Sequence, residues 1–333
     1  MNIKHHTITI RILLAVVIVT GFVSCRSYKS LTQVNKPDVN TLVREGSQNN
    51  TDTIKLSSIP WKTYFSDEKL QKLISEGLDN GYNMKVALAR IQQADAALYM
   101  SKSALLPSVS ASARVDHTRR STGTAGTDVF GYASNVNTLG ITASWEADLW
   151  GKLSSQTKSK YAAYLNTLEY KKLIQTTLIA SIAKGYYNLL AYDEQLRTTK
   201  ETIAILTQST QTMQALKDAG QQTAAAVEQS KALLYNTQLS VFDLESKIRQ
   251  QENAICVLVG RTPGTIERNL MSSQSVPTTM NSGIALNDLA NRPDVKQAEL
   301  SLQSAYALTD AAKAAFYPSF SISTLSVGLA AGG

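Results

Sequence analysis

Cysteine, histidine, proline and glycine are all scarce in this chain of 333 residues, and each scarcity excludes something. Two cysteines cannot build a disulfide framework, and no CxxC pair is present for redox or zinc chemistry. Of the three histidines, His5 and His6 fall in the N-terminal segment. His117 is then left without a neighbour in sequence for a zinc or Ser-His-Asp site. No glycine-rich phosphate loop follows a strand. Glu146 and Asp148 invite a paired-carboxylate reading, but as neighbours on one strand face they are read as a polar wall with acidic ends. The expectation is a protein that is no enzyme, with no cofactor and no metal site. Seven prolines and 17 glycines amid abundant alanine, glutamine, serine and leucine leave long periodic runs, which suit extended helices better than a compact globule. The charge of +7 is spread among acidic residues rather than gathered into a basic block, so a nucleic-acid partner is not expected.

The chain opens as a targeting segment. Lys4, His5, His6 and Arg11 precede an apolar run, Ile12 to Val23, that is too short for a bilayer span, giving a signal peptide over 1–24. It ends in Phe22-Val23-Ser24-Cys25, which resembles a bacterial lipobox apart from Phe22. Cys25 is therefore expected to carry lipid, the alternative being an ordinary exported protein cut nearby. Cys256, beside Ile255 and Val257, reads as a small buried hydrophobe. Residues 25–60 are polar and aperiodic, a tether without a core.

The organising unit lies in Val86 to Asp116. Leu88, Ile91, Ala94, Leu98, Ser101 and Leu105 recur at helical steps until Pro107 ends the helix. Val109, Ala111, Ala113 and Val115 then alternate with Ser108, Ser110, Ser112, Arg114 and Asp116, the period of a strand. Adding 211 to each number carries Gln92–Ser112 onto Gln303–Ser323, and Pro107 onto Pro318, so the helix-to-strand switch is an internal repeat.

Upstream, Ser66 is the expected cap of a first helix bearing Leu70, Leu73, Ile74 and Leu78. Downstream, a polar loop over His117–Asn135 leads to a second strand, with Leu139, Ile141, Ala143, Trp145 and Ala147 on one face and Gly140, Thr142, Ser144, Glu146 and Asp148 on the other. Both strands reach the ~9–11 residues that cross a bilayer at a tilt. Phe130 and Tyr132 at one end, Trp145 and Trp150 at the other, are placed as interfacial girdles are. A soluble hairpin with one buried face is the plainer alternative. From Leu153 the pattern stays helical to Ala219, about 100 Å at a helical rise. Ile182, Leu189, Leu196 and Ile203 recur every seven residues, as do Val227, Leu234, Val241, Ile248 and Ile255 in the next helix, so the pair is expected to coil along its length. Ala219, Gly220, Gln221, Gln222 and Thr223 form the reversal, with Gly220 left-handed and Thr223 capping. After Gly260 an irregular linker, 261–290, holds a short helix from Leu286 that breaks at Pro293, where the repeated helix begins. A descending helix of about 67 residues is thus returned by one of about 36 and another of about 25.

Trp61 with Phe65-Ser66-Asp67-Glu68-Lys69-Leu70, then ALARIQQADAAL, LLPSVSASA, Trp145-Glu146-Ala147-Asp148-Leu149-Trp150-Gly151-Lys152, Asn291-Arg292-Pro293-Asp294-Val295 and FYPSFSIS together resemble the outer-membrane efflux proteins. These are the TolC-like exit ducts of tripartite pumps, and the lipid-anchored branch serving resistance-nodulation-division transporters is the closer likeness. The resemblance implies a mainly α fold with membrane β-hairpins. Long antiparallel coiled-coil helices would form a periplasmic α-barrel above which strands join a shared trimeric β-barrel. It further implies a lipid-anchored homotrimer in the outer membrane, a periplasmic adaptor at the tip 219–223, an inner-membrane pump as partner, and small molecules such as drugs as passive cargo. The first repeat is expected over 61–260 and the start of a second over 291–333. Because the sequence stops as a third strand begins, the expectation is a truncated form or fragment that does not conduct as a normal trimer. A coiled-coil adaptor or scaffold lipoprotein, or a duct for whole proteins, are the alternatives.

Overall fold

The computed structural model describes residues 60–119, 133–274, 291–323 and 327–332. The signal peptide, Cys25, the tether up to residue 59, Phe130, Tyr132 and the linker helix at 286–290 lie outside the described residues.

A short helix, α1 (Trp61–Tyr64), leads to α2 (Glu68–Asn80) and α3 (Tyr82–Ser103). Asp67 caps α2, its carboxylate accepting from the backbone N–H of Lys69 and Leu70. This corrects the expected Ser66 cap by one residue: a carboxylate offers two acceptor oxygens, and here Oδ1 caps the helix while Oδ2 accepts from Tyr186 OH and Gln274 Nε2. On α3 the inward stripe is Met84, Ala87 and Leu98, with Ile91, Ala94, Ser101 and Leu105 half-buried between and beyond them. That spacing passes over Leu88, expected in the stripe but 45% exposed.

The long helix is α4 (Lys152–Asp218), 67 residues without a break, and α5 (Ala224–Val259) returns along it with 36. Each expected seam contributes buried residues, Ile182 and Leu189 on α4 and Val227, Leu234, Ile248 and Ile255 on α5. Further along, the seam turns polar, and Thr210 Oγ1 meets Ser230 Oγ at 2.8 Å. The fourth long element, α6 (Pro293–Ala314), starts at Pro293, where a missing N–H costs nothing. Its ends stand 211 residues after those of α3, so the sequence repeat is a repeat of structure.

Both repeated helices pack on the N-terminal part of α4, while α5 covers the C-terminal part. Small hydroxyls let the helices approach: Ser101 Oγ lies 3.0 Å from Thr157 Oγ1, and Ser159 Oγ lies 2.8 Å from Ser304 Oγ. Asn166 Nδ2 donates across to Gln297 O at 2.7 Å and Ser301 Oγ at 3.0 Å. Thus the 67 residues of α4 are matched by α5 and α6 in turn, as the lengths implied.

The apolar core sits where α2, the middle of α4 and the end of α5 converge. Leu70, Ile74, Ile182, Tyr186, Leu189, Leu190, Ile255, Cys256 and Val259 are fully buried there. Cys256 is the packed hydrophobe its context implies. Gly260 ends α5 at φ 78°, and a Cβ there would stand 2.6 Å from the backbone oxygen of Asn80, so both conformation and space demand glycine.

Strands β1 (Ser108–Arg119) and β2 (Ala133–Ala147) pair antiparallel from Ser108 opposite Ser144 to Arg119 opposite Ala133. The hairpin is longer than expected, because His117 and Asn135 are paired strand residues and no longer part of the loop. Two short strands, β3 (Phe320–Ser323) and β4 (Val327–Gly332), line the other edge of β2, giving the order β1-β2-β3 with β4 also on β2. Ile322 stands opposite Trp145 but Leu329 opposite Leu139, so even-numbered residues pair with odd in β3 and odd with odd in β4. The alternation in the sequence changes phase between the two strands, from Phe320 and Ile322 to Val327 and Leu329.

Candidate functional site

Three features carry chemistry or shape: the sheet, the corner where β2 becomes α4, and the turn between α4 and α5. The sheet has two unlike sides. On one, Ser108 Oγ lies 2.8 Å from Ser144 Oγ and Ser110 Oγ lies 2.7 Å from Thr142 Oγ1, and Arg114 pairs with Asp116 at 2.7 Å. The other presents Val109, Val115, Leu139, Ile141, Phe320 and Ile322, all between 54% and 75% exposed. Among the described residues no helix covers that side. A soluble hairpin packs its apolar side on a core, which these residues do not do. Near the far end His117 Nδ1 lies 2.5 Å from Asn135 Oδ1, a cross-strand pair two positions before the described register ends at Arg119 opposite Ala133.

At the corner, the helix that follows β2 is capped from within the strand exit. Asp148 accepts from Leu153 N at 2.9 Å, Ser154 N at 2.8 Å and Ser154 Oγ at 2.6 Å. Burial pushes the Asp148 carboxyl up, but these hydrogen bonds outweigh it and hold its pKa below the ordinary value of 3.8. Glu146 pairs with Lys152 at 2.6 Å, and Gly151 makes the turn at φ 73°. Expected as the acidic ends of one polar wall, Glu146 and Asp148 have separate structural partners, because the chain turns away from the sheet after Ala147. Pro107 and Pro318 each stand between the end of a helix and the start of a strand. Trp145 and Trp150, 38% and 41% exposed, lie beside these two switches.

At the turn, Gly220 adopts φ 76°, and Gln221 N donates to Leu216 O at 2.8 Å, the six-to-one closure of a Schellman end. Thr223 Oγ1 accepts from Ala226 N at 3.3 Å and caps α5. Ala219, Gly220, Gln221, Gln222 and Thr223 are all exposed. No other element of the described residues packs over them.

Sequence reasoning missed a polar lock that threads residues 261–274 across the helices. The buried Asp67 accepts from Tyr186 OH at 2.7 Å, Asn269 Nδ2 at 3.0 Å and Gln274 Nε2 at 2.8 Å, besides the N–H groups it caps. Arg268 bridges Asp193 on α4 and Glu252 on α5. Nothing in local spacing marks partners so far apart, and only the capping position of Asp67 was open to detection. Burial pushes the Asp67 carboxyl up, yet hydrogen bonds from Tyr186, Gln274 and the N–H groups of Lys69 and Leu70 hold its pKa below 3.8. A carboxylate with a lowered folded pKa contributes stability that is present above its unfolded value and lost as pH falls through the folded one. Asp67→Asn is therefore expected to lower the unfolding midpoint at neutral pH and to flatten the loss of stability below 3.8, read by thermal melts across an acid series. A parallel loss at every pH would assign the acid sensitivity elsewhere.

Repeated helix–proline–strand units, a two-faced sheet whose apolar side no described helix covers and a long coiled hairpin define a fold of the class in which a helical barrel is continued by a β-barrel. The solved open-state channel MtrE of Neisseria gonorrhoeae has this fold, with a TM-score of 0.70 at 24% identity over 90% of this chain and 70% of that one. Residues 73–261 match the outer membrane efflux protein family model, and the chain belongs to that family. It is 26% identical over 265 residues to the cation efflux system protein CusC of Escherichia coli K12, covering 79% of this chain and 57% of that one. It is 28% identical over 264 residues to the toluene efflux pump outer membrane protein TtgC of Pseudomonas putida, covering 79% and 54%. The chain thus spans a little over half the length of these relatives.

Proposed function

We propose that the protein is an exit-duct subunit of a tripartite efflux system in the outer membrane. Three copies would each lend strands to one barrel and helices to a periplasmic tunnel. The observation that carries this reading is the sheet whose apolar side no described helix covers, joined through Pro107 and Pro318 to helices far longer than a globular domain needs. Such a sheet satisfies its backbone in lipid only by closing into a barrel, which neighbouring copies would complete. The polar side, with its serine and threonine ladder, would line a wet lumen. Lipid on Cys25 would anchor the chain, Phe130 and Tyr132 would mark one membrane interface and Trp145 and Trp150 the other. The exposed turn at 219–223 would meet a periplasmic adaptor that links the duct to an inner-membrane pump. No bond is made or broken in this scheme: cargo driven by the pump passes through a shaped, hydrated passage. With relatives named for cation and for toluene efflux, small solutes are the cargo class.

Production with its own leader in a bacterial outer membrane tests the reading. From the native gene expressed in full we expect detergent-dependent extraction, trimers by native mass spectrometry, lipid on Cys25 that Cys25→Ser abolishes, and stepwise conductance in planar bilayers. Release into the soluble fraction as a lipid-free monomer would overturn it.

A further inference from the structure

One corner of the chain grips both helix-to-strand switches. Trp145 donates its indole N–H to the carbonyl of Leu105 at 3.0 Å, two residues before Pro107. Trp150 donates to the carbonyl of Pro318 at 2.8 Å and stacks on Tyr317, the rings 4.8 Å and 22° apart. A proline that ends a helix lacks its own N–H and turns the residues after it out of the helix, so the last carbonyls lose the partners they would use one turn on. At the first switch an indole supplies a donor there, and at the second it fixes the proline's own carbonyl. Between and after the two tryptophans, Asp148 caps α4 and Lys152 ties back to Glu146. The exits of α3, β2 and α6 are thereby fastened to the single segment Trp145–Ser154.

The fastening is not a product of the repeat. Under the offset of 211, Leu105 corresponds to Phe316 and Pro318 to Pro107, so the two indoles hold unlike points. Trp150 reaches across 168 residues, from the first repeat to the second. Interfacial tryptophans hold the ring in the boundary layer and turn the N–H towards water or headgroups. In this chain both N–H groups bond its own backbone instead.

We propose that Trp145 and Trp150 are positioning residues whose indole N–H groups tie the Pro107 and Pro318 switches to the β2–α4 corner, and so set where the barrel strands begin relative to the tunnel helices. The structural tie stands on the geometry above, and its consequence for conduction rests on the duct reading. A headgroup anchor would tolerate phenylalanine, whereas a donor to a backbone carbonyl would not.

The test uses the protein extracted from the outer membrane, as wild type and as Trp145→Phe, Trp150→Phe and Trp61→Phe. Hydrogen-bonded indoles are expected in the ultraviolet resonance Raman spectrum of the wild type, with the bonded signal reduced in each of the first two variants. Those variants are expected to form oligomers whose single-channel conductance is broadened, the minor conductance state rising about fivefold, the weight of one net hydrogen bond. Amide exchange next to the corresponding switch should quicken by a similar factor. Trp61→Phe, in the helical core region, should lower the melting temperature and leave the conductance distribution as it was. Wild-type indoles free of hydrogen bonds, or phenylalanine variants that exchange and conduct as the wild type does, would overturn the proposal. If those variants do not assemble, the wild-type Raman spectrum decides. If the wild type itself forms no channels, the duct reading fails alone, and the Raman and exchange measurements still decide the tie.

Discussion

Ile141→Lys is expected to abolish insertion of the assembled protein into the outer membrane, whereas Thr142→Lys, one residue on, inserts and shifts the ion selectivity of the passage towards anions. Ile141 lies near the middle of β2, paired on either side with Ala111 and Val327, and is 55% exposed on the apolar side. A lysine on the lipid side of a barrel near the bilayer midplane costs about 2–4 kcal/mol per chain, and in a symmetric trimer that cost is repeated in every subunit. Thr142 points the other way, its hydroxyl 2.7 Å from Ser110 Oγ in the polar ladder. There a lysine stays hydrated, and its charge acts on the ions passing it. Membrane fractionation with reversal-potential measurements separates the two. Equal tolerance of both lysines would mean that the apolar side does not face lipid.

Arg268→Ala is expected to destabilise the helical part by about 3 kcal/mol, in the range for removing one partner of a buried ion pair. Arg268 Nη1 donates to Glu252 Oε1 at 2.5 Å and to Ile266 O at 3.0 Å, and its Nη2 donates to Asp193 Oδ1 at 2.9 Å. Glu252 is 7% exposed, so without the guanidinium a carboxylate is left buried with only the Ile266 N–H, at 3.4 Å, to support it. The backbone oxygen of Arg268 also accepts from Lys69 Nζ at 3.1 Å, a bond that alanine retains, so the segment would lose its side-chain hold on α4 and α5 and keep its tie to α2. Arg197, which makes two ion pairs on the exposed surface of α4, is the contrast: Arg197→Ala should leave the melting temperature nearly unchanged. If the charge left on Glu252 is the cause, Glu252→Gln in the Arg268→Ala background recovers part of the loss in thermal melts. No recovery would place the cost in lost packing.

What the sequence determined by itself is what periodicity and punctuation encode. The 67-residue helix, the turn at Gly220 with its Thr223 cap, the two proline switches and the alternating strands follow from runs of helix formers, a left-handed glycine and period-two patterns, all local signals. The repeat was legible because residue identities and the proline coincide at a fixed offset, although the two copies bury different faces: the buried Met84, Ala87 and Leu98 correspond to the exposed Val295, Ala298 and Thr309. The errors share one cause. The cap at Asp67 rather than Ser66, the exposure of Leu88 and the separate partners of Glu146 and Asp148 depend on what lies opposite each residue, which local spacing does not carry. Likewise, only the tertiary structure joined Asp67 to Tyr186 and Asn269, Arg268 to Asp193 and Glu252, and Trp150 to Pro318. Each of these bonds links residues distant in the chain through groups common everywhere in it. Their pairing is fixed only once the long helices have brought their elements to the same level.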